Sequence, residues 1–513
     1  MNKWIIAIMA SLSAGMEILD ASVVNVALAH MQGGLSAGVD EVAWVLTAYL
    51  VSNAVILPMT GWLATFFGRK RFFIFCTILF ATCSALAGIA PTLALMVFLR
   101  VLQGLGGGAL TATGQAIVME SFPPAERGMA MAVWAAGSVA GSISGPILGG
   151  QIADHFSWRW VFYLNAPMAA LVILLAILFL HDPPYLQQRV RRIDGWGFLL
   201  LVVWVGCLQI ILGRGQRLDW FNSRWIIGLA FLAVPAFLFF IIRELVTEEP
   251  VVDLRVLKNR TFTIGIILMA LQNFGFYGAI VLIALFAQTL MGYTTLQTGL
   301  VIASGAVTSV VTISLAGRLL TLLDYRIMIG AGALVSGLAM LKASSLSLEA
   351  SFFQVMMPRL LLGLGLGWMW MPVTTVSLAA VPREKMGYAS GLFNLMRNLG
   401  GSFGIAVVTT ILSRGAQTHQ ARLVAHVTPW DLDVQERLGT MAAAFQAAGS
   451  DPFTAEKQAL GRLYTQIRQQ ASLLAFLDDF RLIAWLLFAV IPLMLFMKGT
   501  KMEEDSTTPR ERT

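Results

Sequence analysis

The chain has 513 residues, of which 57% are hydrophobic and only 12% charged. About a quarter of a soluble domain's residues are charged, so a water-soluble globule is excluded. The formal net charge of +7 reflects topology rather than affinity for nucleic acid, because the basic residues sit in loops between apolar runs.

Apolar runs of roughly 20 residues, the length of a helix that crosses a bilayer, recur from end to end. They predict fourteen membrane spans, at about 4–28, 42–64, 71–90, 92–117, 129–152, 160–181, 196–213, 225–243, 262–290, 296–319, 326–343, 352–378, 387–412 and 480–498. The expected fold class is an all-α polytopic membrane protein. Cys76, Cys83 and Cys207 lie inside these runs and offer neither a disulfide framework nor a metal site.

The first run has no clear cleavage site and reads as a retained span rather than a removed signal peptide. It carries Glu17 and Asp20, three residues apart and so on one helix face. A charge inside a membrane is paired, protonated or beside water. Arg100 is the expected partner. Asp20 lies eight residues before the outer end of the first span, and Arg100 lies eight residues after the outer start of the fourth. One reading of this set is a structural ion pair. The other is a proton site, since burial and a nearby arginine act on a carboxyl in opposite directions. Two carboxyls on one face also titrate as a coupled pair.

Gly61 to Arg71 closes the second span and opens the third; Gly68 permits a sharp turn, and Arg69, Lys70 and Arg71 anchor it. In the fifth span glycines fall at 137, 141, 145 and 149, with Pro146 inside the run and Gly150 after it. A membrane helix survives such a run, and the bare ridge admits a neighbouring helix closely. Pro146 invites a kink. A static packing seam would explain one GxxxG pair; glycine at four positions in register suits two helices that pack closely and also shift.

The ninth span carries Gln272, Asn273, Tyr277 and Gln288. With Asn25, Tyr49 and Asn53 earlier, and Trp368, Trp370 and Arg397 later, these suit a roomy pocket for apolar ligands. Arg359 and Arg397 have no carboxylate in the neighbouring spans. Arg359 repeats Arg100 and reads as structural. The segment 413–479 is polar and external, and ends in an amphipathic pattern (Leu460, Leu463, Ile467, Ala471, Leu474, Leu477). That pattern predicts a helix folded back on the body, or one that docks a partner.

Lys and Arg concentrate in alternate loops, at Arg69 to Arg71, Arg127, Arg189 to Arg192, Arg243 to Arg260, Arg318 and Arg326, and Arg383 and Lys385. Lys3 and the tail residues Lys498, Lys501, Arg510 and Arg512 share that side, so both termini are expected to be cytoplasmic. The loop with Arg214, Arg217 and Arg224 runs against the rule. Three segments return in order at nearly one offset: Gly61-Trp-Leu63 as Gly317-Arg-Leu319, Arg100 to Gly108 as Arg359 to Gly367, and Pro124-Ala-Glu126-Arg127 as Pro382-Arg-Glu384-Lys385. The expected units are a six-helix half at 1–181, two linker spans at 182–261, a second six-helix half at 262–498 and a tail at 499–513. Halves repeated in this way are a transporter architecture, with the binding site between them.

The matching motifs now cover nearly the whole chain. Leu19-Asp20-Ala-Ser-Val-Val-Asn25-Val-Ala27 resembles the first-helix signature of the fourteen-helix drug:proton antiporters of the major facilitator superfamily. Gly61 to Lys70 resembles the superfamily's loop 2–3 motif, Arg100 to Gly108 its helix 4 motif, and Gly137 to Gly150 its antiporter motif. Trp158 to Pro167 resembles the usual entry to helix 6. Arg192-Ile-Asp194, Leu218-Asp-Trp220, Pro250 to Leu254 and the long external segment are similar to the EmrB-type branch. Thr65 stands where the loop motif often has an acid. Glu17 is outside the signature, and its role rests on physics alone.

The resemblance implies the superfamily's two-half fold with two inserted helices, in the bacterial inner membrane. It implies efflux of hydrophobic or toxic compounds by alternating access, driven by the proton gradient with no cofactor. It also implies a periplasmic adaptor and an outer-membrane channel as partners. Proton coupling would fall to Asp20, with Glu17, tuned by Arg100. One rival reading is an exporter of a single metabolite, siderophore or fatty acid. A non-transporting receptor is another. An intramembrane enzyme is disfavoured, since His30, His155, His181, His419 and His426 all lie in loops or at span ends.

Overall fold

The computed structural model describes residues 3–182, 194–320, 322–428 and 430–497. Arg189, Arg191, Arg192 and the basic residues from Lys498 onward lie outside them. The described residues form helices and turns, with no strand. Thirteen helices among them are long and apolar enough to cross a membrane. The first half holds α1 (Lys3–Gly34), α2 (Trp44–Phe67), α3 (Arg69–Gly88), α4 (Leu93–Ser121), α5 (Pro124–His155) and α6 (Asn165–Phe179). Next come α7 (Gly195–Arg214) and α8 (Arg224–Val246). The remainder is α9 (Arg260–Leu285), α10 (Thr295–Leu319), α11 (Tyr325–Ala343), α12 (Phe352–Ala379), α13 (Met386–Ala425), α14 (Leu432–Ala447) and α15 (Pro452–Met494).

The fourteenth predicted span is the inner part of α15. Asp478, Asp479 and Arg481 make its outer edge less apolar than the other spans. Its Ile483, Leu487 and Val490 are nevertheless fully buried, and α15 packs against α9, α11 and α13. The segment 413–479 is not a loop with one folded-back helix. α13 and α15 each continue through it without a break, and α14 lies against α15. The expected apolar stripe forms one face of this extension.

Sequence explains where the helices start. Thr294 with Gln297, and Ser351 with Gln354, form capping boxes on α10 and α12. Asp451 caps α15, accepting from the amides of Phe453 and Thr454. α1 packs on α5, α2 and α3 on α4; α9 packs on α13, and α10 and α11 on α12. α7 touches both α2 and α13, where Gln209 exchanges hydrogen bonds of 2.9 Å with Asn398 and Ser402. The branch motifs clasp this pair in place. Asp194 caps α7 and pairs with Arg243 at 3.1 Å, and Asp253 meets Lys385 at 2.6 Å. Trp220 donates to Thr410 at 3.0 Å. Arg214, the basic residue on the unexpected side, stacks over Trp44 at 4.6 Å, a cation–π contact that keeps its charge in place there.

Candidate functional site

α1 carries Glu17 and Asp20, and α5 packs along α1. The ridge of α5 lies along α1 at backbone distance. A methyl group on Gly137 would fall on the Ser11 backbone, one on Gly141 on the Gly15 carbonyl, and one on Gly145 on Ser22. At Gly149 it would stand 3.1 Å from Val23. Gly150 lies off this line, its nearest contact being Val26 at 4.0 Å. The helix runs through position 146; the Pro146 side chain is outside the described residues.

Asp20 is 1% exposed and Arg100 fully buried. Arg100 Nη1 donates to Asp20 Oδ2 at 2.5 Å and to Gln103 Oε1 at 2.9 Å, while its Nε donates to the Val45 carbonyl at 3.1 Å. Gln103 and Asn165 donate to Asp20 Oδ1 at 2.9 and 2.7 Å. The Tyr49 ring lies 4.1 Å below the guanidinium. Glu17, one turn away, is set differently. It is only partly buried, and it accepts from Asn53 at 2.9 Å and Thr111 at 3.1 Å, both neutral donors. Arg397 and Tyr277, from the second half, are its electrostatic neighbours.

Between the halves lies a cavity of about 140 Å³. Of the residues expected to line it, Gln272, Asn273, Tyr277, Trp370 and Arg397 do; Ile18 and Ser138 face them from the first half. Five expected residues do not, Gln288 and Trp368 among them. Tyr49 is fully buried behind Arg100, and its hydroxyl donates to the Glu17 carbonyl at 3.3 Å. Asn53 is buried on Glu17. Asn25 is exposed two turns outward of Ile18 on the same face of α1, at the mouth. Gln103, Thr111 and Asn165 were not singled out in the sequence. The signal for Gln103 was its position one turn after Arg100, and for Asn165 its place in the Trp158 to Pro167 motif; Thr111 had only polarity within an apolar run. Arg359, fully buried, lies 5.3 Å from the Phe276 ring.

The halves meet closely on the side that carries Lys3, Arg69 and Arg127. The Gly61 backbone touches Gly387 and Tyr388, and the Gly128 backbone touches Gly317. These two glycine crossings are related by the internal repeat. Ser390 donates to the Ala112 carbonyl at 2.7 Å, and Asn394 to Gln115 at 2.5 Å. Trp134 stacks on Trp370 at 6.0 Å. Toward the opposite side Asn25 and Ser142 are exposed. The loop 2–3 motif braces the closed side. Gly68 takes a φ of +85°, a region that favours glycine; Arg69 pairs with Glu120, and the Lys70 amide donates to Asp182 at 2.8 Å. Thr65, in place of an acid, donates to its own helix at the Gly61 carbonyl, so no charge relay passes through it.

The family model described as Major Facilitator Superfamily matches residues 10–405. The chain is 34% identical over 495 residues to the multidrug export protein EmrB of Escherichia coli K12, covering 96% of this chain and 95% of that one. It is 33% identical over 488 residues to the fatty acid resistance protein FarB of Neisseria gonorrhoeae, covering 95% and 94%. The solved proton:xylose symporter XylE superposes with a TM-score of 0.60 at 15% identity, covering 96% of each chain. The human organic anion transporter MFSD10 superposes with a TM-score of 0.60 at 14% identity, covering 95% of this chain and all of that one. At those identities the two structures speak for the fold alone. A two-half bundle with a cavity at its seam, a family model across most of its length and relatives matched nearly end to end agree: the chain belongs to the major facilitator superfamily, in the family of the EmrB multidrug export proteins.

Proposed function

We propose that the protein exports hydrophobic and amphipathic compounds across the bacterial inner membrane by alternating access, in exchange for protons. The observation that carries this reading is Glu17, a membrane carboxylate held by two neutral donors and facing Arg397 across the seam that holds the cavity. Such a group can gain and lose a proton without breaking an ion pair. Asp20 with Arg100 sits one turn away, fully partnered, and responds to the charge on Glu17. The closed glycine crossings and the exposed Asn25 support reading this state as outward-open. An empty, protonated carrier then returns inward. An adaptor on the outer side and an outer-membrane channel are the partners proposed from the resemblance. The FarB relative favours a second reading, a dedicated exporter of one class of fatty acid.

Substrate-induced proton release from the purified protein in weakly buffered detergent tests the coupling. The panel is hydrophobic weak acids, lipophilic cations and dyes. Wild type is expected to release protons, Glu17→Gln to release none, and Asp20→Asn to release less. Release that survives both substitutions overturns the assignment. Release with fatty acids alone favours the dedicated exporter.

A further inference from the structure

On the side of the second half opposite Lys3 and Arg69, the end of α9 and the faces of α13 and α15 border a second cavity, of about 350 Å³. That is room for a small organic ligand. α13 presents Thr409, Leu412, Ser413 and Ala416 to it, and α15 presents Thr465, Arg468, Ser472 and Phe476, so each contributes one helix face. α9 contributes where its regular turns end. Phe286–Leu290 widens to an i→i+5 turn, the Met291 amide donating to the Phe286 carbonyl at 3.2 Å. Leu285, Thr289 and Leu290 line the cleft together there. Turns of this kind are rare and recur at functional sites.

The polar groups of the lining fall into two sets. Thr289, Thr409 and Thr465 donate back to carbonyls of their own helices, at Leu285, Ile405 and Gly461. The side chains of Arg468, Gln469, Ser413 and Ser472 have no hydrogen-bond or ion-pair partner among the described residues. Asp478 and Asp479, inward of Phe476 on α15, are off the lining: Asp478 is paired with His419 and Arg481, and Asp479 is fully buried. Among the described residues, the charge on the lining is therefore the guanidinium of Arg468.

Position along α15 orders the two ends of the cleft. Arg468 stands outward and exposed, and Phe476 inward and buried, its ring centroid 5.6 Å from that of Phe286. Eight residues separate them, roughly 12 Å along the helix. Leu285, Leu290 and Leu412 supply apolar wall. A cationic donor at one end and an aromatic ring at the other match an amphipath with an anionic head. The planar fork of an arginine fits carboxylate and phosphate alike. We propose that this cleft is a second binding site, for an organic anion whose carboxylate or phosphate head pairs with Arg468 and whose apolar body reaches toward Phe476. A solute and an anionic lipid share that chemistry. The cleft shares no lining residue with the cavity at the seam, and its occupancy does not depend on proton exchange at α1.

An environment-sensitive fluorophore on Gln417→Cys, beside Ala416, reports occupancy in the full-length purified protein; the native cysteines are all buried. The probes are 4-phenylbutyrate, the matching alcohol 4-phenylbutan-1-ol and the matching amine 4-phenylbutylamine. In neutral detergent the carboxylate is expected to bind saturably and about three- to fivefold more tightly than the alcohol, the effect of one exposed ion pair. Arg468→Gln should erase that preference and leave the alcohol's affinity. Arg414→Gln, an exposed charge off the lining, should leave both. Ser413→Trp, which fills the cleft, should abolish binding. Adding phosphatidylglycerol to phosphatidylcholine nanodiscs identifies the source. Carboxylate binding weakened in wild type beyond its change in Arg468→Gln marks the lipid as occupant, and an equal change marks a solute. The proposal is overturned if carboxylate and alcohol bind alike, if the amine binds best, if no probe binds, if Arg468→Gln keeps the preference, or if binding survives Ser413→Trp. Proton release at α1 is measured separately, so either reading can fail without the other.

Discussion

Arg100 and Glu17 differ in what their removal leaves behind. Arg100→Ala leaves Asp20 buried with only neutral donors, and breaking a buried pair costs about 3–5 kcal/mol. Arg100→Lys does little better, because an ammonium on a shorter fork does not reach Asp20, Gln103 and Val45 together. Glu17→Gln keeps an oxygen to accept from Asn53 or Thr111 and should cost no more than about 1 kcal/mol. Thermal unfolding in detergent should therefore rank Arg100→Ala far below Glu17→Gln. Equal losses would contradict the division into anchor and exchanger. The Asp20–Arg100 pair was legible in the sequence, because counting residues from the span ends puts both at one depth. The pocket was less so. Polarity in a span does not say which helix a side chain faces, so Tyr49 and Asn53 passed for cavity residues when both serve Glu17.

At the scale of elements, the α5 ridge makes a graded prediction. Alanine at 137 or 141 collides with α1 backbone, and such overpacking costs typically about 1–3 kcal/mol. Alanine at 150 meets nothing closer than 4.0 Å and should be neutral or slightly stabilising through helix propensity. Unfolding temperatures of the three variants check the order. A second prediction concerns the start of α15. Hydrogen bonds from Thr454 hold the Asp451 carboxyl below the ordinary aspartate range. A depressed folded value means the cap's contribution is present above the unfolded value, about 3.9. It is lost as the pH falls through the folded value. Amide exchange at Phe453 and Thr454 should accelerate only in acid, and Asp451→Asn should remove that dependence. The spans themselves were legible because twenty apolar residues leave no other fold. The continuity of α13 and α15 beyond them was not. Hydropathy marks where a helix leaves the membrane, and the helix formers of 413–425 and 452–479 carry it on in water.

For the whole molecule, the two glycine crossings and the contacts of Ser390 and Asn394 make the basic side a removable seal. A short bifunctional cross-link between Gln115→Cys and Asn394→Cys should hold that side shut and stop transport. Cleaving the linker should restore it. Transport that continues while cross-linked would show that this side never opens. The two-half plan was legible from the internal repeat; which face is closed was not, because a sequence encodes both faces of the cycle at once. The long outer helices add a mechanical consequence. α15 runs 43 residues, roughly 65 Å, from the buried core of the second half to its start outside the membrane, with α13 rising beside it. Each is one stiff rod, so a tilt that barely parts the halves at the membrane is magnified at the far tip. The hairpin is a lever arm that broadcasts the carrier's state to the exterior. By thermodynamic reciprocity, whatever grips that arm in one orientation also weights the carrier toward the matching state, and so sets the pace of export from outside the membrane.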